Sequence, residues 1–231
     1  MIKGILAATV LGSLIVPGLQ AGTFTFNSSD SGWYDSTTGG NAKGAGGPTN
    51  LNYFAGQFPT NGGNDYNDYF VFNISGLTGS IVSATLTLDD SGTGAVAGGP
   101  LTYNVGSVSD PASSVSSSNP SLTIYNDLAS GTLYGSEAGI NAAGNVVITL
   151  DAAALTALGS AGSGFVFGGY ITPIADASNH YLFTNPNPAN DPTDVQLSIV
   201  TTSSSVPEPA SLTLVGLGLL GFGLAARKRR S

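Results

Sequence analysis

Eight residues constrain this chain more than any others. From Ile81 to Leu88 the sequence alternates, with Val82, Ala84, Leu86 and Leu88 on one face and Ser83, Thr85 and Thr87 on the other. A period of two belongs to a strand with one face buried and one face wet; a helix needs apolar positions every three or four residues. The pattern recurs at short spacing. Thr23 to Phe26, Asp68 to Ile74, Leu101 to Val105, Ser121 to Ile124, Thr132 to Tyr134, Val146 to Leu150, Phe165 to Phe167, Tyr181 to Thr184 and Val195 to Val200 are all expected as strands. Many short strands between Gly-, Asn- and Ser-rich turns predict an all-β, antiparallel β-sandwich. Only Asp151 to Leu158 reads as a helix, with Asp151 as its N-cap and Gly159 as its stop. Residues 35–50 and 109–120 read as loops. The chain has no cysteine, so burial and strand pairing must supply its stability.

The two ends follow different rules. Lys3 is the only charge among the first 29 residues, and the run from Ile5 to Val16 is almost wholly apolar. Pro17 and Gly18 end it, and Ala21 stands before Gly22. A basic start, a short apolar stretch and a small-residue cleavage point predict a signal peptide over residues 1–21, cut by signal peptidase between Ala21 and Gly22. At the other end, Pro207, Glu208 and Pro209 precede an uncharged apolar run at 210–226, and then come Arg227, Lys228, Arg229 and Arg230. At about 1.5 Å per residue such a helix reaches roughly 25 Å, near the thickness of a bilayer core. The basic cluster stops transfer and keeps the tail cytoplasmic, with everything before Pro207 outside. Two prolines around one residue hold the backbone extended, as a protease subsite requires.

Triad, apolar helix and Arg-rich end together resemble the PEP-CTERM sorting signal, over about the last 26 residues. The resemblance implies recognition by an exosortase, a membrane-embedded transpeptidase of exopolysaccharide-producing Gram-negative bacteria. It implies a protein first anchored in the membrane, then at the cell surface or extracellular. Separately, Asn67 to Leu77 followed by Ile81 to Leu88 is similar to a pattern of jelly-roll modules in bacterial surface and carbohydrate-binding proteins. The resulting organisation is a signal peptide at 1–21, a jelly-roll-like ectodomain at 22–200, a polar linker at 201–205 and the sorting signal at 206–231.

Five of the six basic residues lie in the two end segments. Between them, Lys43 stands alone against thirteen acids, a net of −12. So acidic a module repels nucleic acid. Enzymatic chemistry finds little to work with. The single histidine, His180, has Ser178 close by, but no Gly-x-Ser-x-Gly elbow accompanies them. Carboxylate pairs suited to glycoside hydrolysis arise by number alone among thirteen acids. No enzymatic activity and no resident cofactor are expected. Calcium is the one metal with a pattern to examine: Asn61 to Asp68 and Asn185 to Asp194 gather oxygen ligands, among them Asp65, Asp68, Asp191 and Asp194. Neither matches an EF-hand, and Asn, Asp, Gly and Pro also build turns for backbone reasons. Trp33-Tyr34, Tyr53-Phe54 and Tyr66 stand in polar surroundings, as sugar-stacking platforms or as core and edge rings. The expected function is therefore a structural component of the cell surface or extracellular matrix. The alternative is a carbohydrate-binding module associated with exopolysaccharide.

Overall fold

The computed structural model describes residues 21–58, 63–90, 97–172, 179–183 and 191–202. Ala21–Thr202 forms one compact unit. Among the described residues no helix is long and apolar enough to cross a membrane. The expected span at 210–226, the triad and the basic cluster lie outside them.

Among the described residues ten strands make the unit: β1 (Ala21–Asp35), β2 (Ala55–Phe58), β3 (Asn64–Asn73), β4 (Ser80–Asp90), β5 (Leu101–Ser107), β6 (Leu133–Ile140), β7 (Gly144–Thr149), β8 (Gly164–Thr172), β9 (His180–Leu182) and β10 (Val195–Thr202). Four helices accompany them: α1 (Ala42–Gly46), α2 (Ala112–Val115), α3 (Leu122–Ser130) and α4 (Ala152–Ser160). The strands run in the order β6-β5-β8-β3-β1-β10-β4-β7, with β2 and β9 branching from β3. Every pairing is antiparallel.

β1 carries the sheet from one half to the other. Its first seven residues pair with β10; after a bulge at Ser29 the remainder pairs with β3. A bulge bends a strand and adds twist, which lets one strand change partner along its length. The Ser29 hydroxyl donates to the Val71 carbonyl at 3.1 Å across the bulge. The two outermost strands, β6 and β7, are consecutive in the chain and approach each other. The Asp151 N–H, just past β7, donates to the Tyr134 carbonyl of β6 at 2.8 Å. The result is one nearly closed antiparallel sheet.

The main core draws on both halves. Phe70, Phe72, Tyr103 and Phe167 meet Leu86, Ile148, Leu197 and Ile199, all at 0% exposure. A smaller core lies on the opposite side of β1 and β3. There Tyr34, Tyr69 and Val71 are covered by Val115 of α2 and by Ile124 and Leu128 of α3. Gly32 permits that layer: a Cβ there would stand 2.7 Å from the Tyr69 ring.

Several local expectations change. Ser121 to Ile124 is not a strand. Ser121 is the N-cap of α3, its hydroxyl accepting from the Ile124 N–H at 3.2 Å, and the apolar pair four residues apart, Ile124 and Leu128, faces the sheet. The loop at 35–50 contains α1 and that at 109–120 contains α2. Asp151 caps α4 as expected, but Gly159 lies inside it and the helix runs to Ser160. Val82 is 55% exposed rather than buried. A register shift opposite Val200 and Thr201 inserts an extra residue here, so Ile81 takes the inward position and packs on the core. β10 continues through Thr201 and Thr202, the first two residues of the expected linker.

Candidate functional site

Three of the five rings singled out in the sequence, Trp33, Phe54 and Tyr66, come together, joined by two others. Trp33 of β1 meets Tyr66 of β3 edge-on, with centroids 5.2 Å apart and planes at 85°. Phe54 meets Tyr66 at 4.8 Å and 78°, and Phe58 at 86°. Tyr181 of β9 closes the group against Phe54 and Phe58. Nearly perpendicular rings consume one another's faces and edges. Phe54 and Tyr66 are buried, so these aromatics form a packed end to the core and no coplanar platform for a sugar. Tyr34 and Tyr53 are fully buried elsewhere: the Tyr34 hydroxyl donates to the Val115 carbonyl at 2.9 Å, and the Tyr53 hydroxyl to the Asp89 carbonyl at 2.8 Å. Phe58 and Tyr181 were not among the candidate rings in the sequence, because only the pairing of β2 with β9 brings Tyr181 to Phe54 and Phe58.

The oxygen-rich segments do not converge either. Asn64 to Asp68 belong to β3, where successive side chains point to opposite faces and cannot close on one ion. Asn64 accepts from the Thr37 hydroxyl at 2.6 Å, while Asp68 turns into the core. Asp191 caps the 3-10 turn Pro192–Asp194, accepting from the Thr193 N–H at 2.8 Å and the Thr193 hydroxyl at 2.7 Å, and these bonds hold its carboxyl below the usual range. Asp194 is pushed up to about 6 by partial burial and then by the charges of Asp191 and Asp89. Among the described residues no group of three or more histidine, cysteine, aspartate or glutamate side chains is placed to hold a metal ion. Asn61, Gly62 and residues 185–190 lie outside the described residues.

Two carboxylates occupy the core. Asp68 is fully buried, and its Oδ1 accepts from the Tyr103 hydroxyl at 2.6 Å. Gly169 makes room for this contact; a Cβ there would sit 1.8 Å from the Tyr103 oxygen. Asp90 is 1% exposed, and its Oδ1 accepts from the Phe183 N–H at 2.9 Å. Phe183 sits in the left-handed region at φ 66°, rare for an aromatic residue, and this bond holds it there. In both aspartates Oδ2 finds no hydrogen-bond partner among the described residues. Burial pushes each up to about 7, against the lowering effect of the hydrogen bond each accepts. A signal for Asp90 was present: it continues the inward series Ala84, Leu86, Leu88.

The ends of the unit define the remaining candidate. Ala21 stands opposite Thr202 and Gly22 opposite Thr201, so the expected signal cleavage point lies beside the last strand residue before the tail. Five residues further on the triad begins. The family model of the PEP-CTERM protein-sorting motif matches residues 205–230. The chain carries a PEP-CTERM sorting signal. Pro207, Glu208, Pro209 and Arg227 to Arg230 all fall within the match. The motif marks an exported protein that is held in the membrane and then processed by an exosortase. No curated protein matches the chain.

Apart from its PEP-CTERM signal, the chain's single lysine outside the two end segments serves the fold. Lys43 is 3% exposed and forms an ion pair with Asp30 at 2.5 Å while donating to the Asn50 carbonyl, which pins α1 to β1. His180 lies on β9 opposite Gln57 of β2. Ser178, its expected neighbour, lies outside the described residues.

Proposed function

We propose that this PEP-CTERM chain is a non-enzymatic structural protein of the cell surface or extracellular matrix of a Gram-negative bacterium. Its ectodomain is read as jelly-roll-like, with the two halves of the sheet facing each other across one core. The observation that carries the functional reading is the way the tail leaves the domain. β10, the strand that leads into the sorting signal, is central: it pairs with β1 along one side and β4 along the other. Force applied at the tail acts along a strand hydrogen-bonded on both flanks, which suits a domain held by its C-terminus. The absence of cysteine places that resistance in strand pairing and burial. Edge-to-face packing of Trp33, Phe54 and Tyr66 speaks against those rings as a carbohydrate platform.

Signal peptidase and an exosortase-type transpeptidase are the processing partners this reading requires. Replacing Pro207, Glu208 and Pro209 with alanine should leave the protein in the membrane fraction with its tail uncut. Cell fractionation and the mass of the C-terminal peptide provide the measurement. An unchanged extracellular yield of tail-less protein from the triple variant would contradict the reading.

A further inference from the structure

The two outer faces of the sheet are built differently. Over β1 and β3 the outer face is apolar and covered by α2 and α3. Over the first half of β1, β10, β4 and β7 the outer face carries a row of hydroxyls in register. Thr25 stands opposite Ser198, Ser198 opposite Thr85, and Thr85 opposite Thr149. Strands about 4.8 Å apart make this a line of four hydroxyls roughly 14 Å long. Asn27, Gln196 and Thr87 continue the surface in the next row, which ends on β7 in the exposed Val147. Thr25 and Thr149 are exposed, Ser198 and Thr85 half-buried, and neither hydrophobic cluster includes any of the four.

Several serine, threonine and asparagine side chains elsewhere in the unit are engaged in capping and clipping, as at Ser31, Thr38, Asn41, Asn67 and Ser109. None of the four hydroxyls in the row bonds to a described residue. Neither row includes an acid, although the domain carries a net −12; Asp89, opposite Asn145, and Asp194 flank the second row beside Thr87 and Gln196.

We propose that this face binds a linear, neutral polysaccharide laid across the four strands. Hydroxyl and amide side chains both donate and accept, as sugar hydroxyls do. The charge pattern selects the partner: a neutral strip in an acidic domain admits a neutral chain, and the surrounding carboxylates repel an anionic one. A protein partner would meet none of the aromatic, Met or Arg anchors that dominate interface cores. A lipid surface would need a broad apolar face, and nucleic acid is repelled. The inference goes beyond the surface-protein reading and does not depend on it, because its test reads glycan binding and no step of sorting or tail processing.

The test is affinity electrophoresis of the full chain, purified in a detergent without a sugar headgroup. Gels contain hydroxyethyl cellulose, galactomannan or dextran, with alginate as the anionic comparison. At least one neutral glycan should retard the protein and alginate should not. The double variant Thr85→Val, Thr149→Val keeps β-branched side chains and should bind about tenfold more weakly while melting normally, since each lost hydrogen bond contributes modestly. If that pair fails to fold, Thr25→Val with Ser198→Ala probes the same row. No retardation by any neutral glycan overturns the proposal, as does equal retardation of the folded variants or stronger retardation by alginate. Dimerisation in ultracentrifugation that the variants abolish would likewise overturn it, showing the face to be occupied by a second copy.

Discussion

Replacing Asp68 with asparagine should stabilise the domain at pH 8 and leave it nearly unchanged, or slightly weaker, at pH 4. Asp68 is fully buried and its carboxyl is pushed up from 3.8 to about 7, by burial first. The sign follows from proton uptake. Below about pH 4 both folded and unfolded chains hold the proton, and this group contributes no pH dependence. Between about 4 and 7 the unfolded chain releases it while the folded chain retains it, so stability falls as pH rises. At ~1.4 kcal/mol per unit over about three units, the loss at pH 8 is on the order of 4 kcal/mol. Asparagine keeps an acceptor for the Tyr103 hydroxyl and cannot ionise. Its amide N–H groups replace Oδ2, which already lacks a partner, at a cost of about 1–3 kcal/mol for an unsatisfied group. A net gain of roughly 2 kcal/mol at pH 8 corresponds to about 4–8 °C in Tm for a domain of this size. Calorimetric or circular-dichroism melts from pH 4 to 8 measure it. The wild-type Tm should fall more steeply with pH than that of Asp68→Asn. The variant keeps a residual slope from Asp90 and Asp194, which are also raised. Parallel profiles for the two proteins would refute the reasoning, because they would mean that Asp68 ionises alike in folded and unfolded chains.

Two further outcomes rest on other buried charges. Lys43 is the only lysine or arginine in Ala21–Thr202 and is 3% exposed, so trypsin should leave this unit intact under native conditions and cut after Lys43 only once it unfolds; rapid cleavage there in the native protein would show the Asp30 pair to be open. Asp90→Ala removes the acceptor that holds Phe183, so amide exchange at Phe183 should speed up about tenfold or more, the equivalent of one lost hydrogen bond, while the amide of Leu86 in mid-β4 stays protected; unchanged exchange at Phe183 would separate Asp90 from its left-handed conformation.

Much of this protein was legible in its residues because the relevant forces are local. Strand alternation placed β4, β7, β8 and β10, since side chains on a strand change face at every residue whatever the neighbours are. Asp151 announced α4 because an N-cap is satisfied within three residues. The sorting signal was legible in full, since a protease and a bilayer read it as a linear string. Tertiary structure decided the rest. The Ser121 to Ile124 run became helix because Ile124 and Leu128 have a sheet to cover, and four residues of apolar pattern do not distinguish helix from strand. Val82 turned outward because of a register shift set by its pairing with β10. Asp65 and Asp68, three residues apart, were separated onto opposite faces of β3, while rings far apart in the chain, Trp33 with Tyr66 and Phe54 with Tyr181, were packed together. The row from Thr25 to Ser198, Thr85 and Thr149 belongs to the same class. Each residue is an ordinary outward position on its own strand, and only the registers of three separate strand pairings bring the four hydroxyls into line.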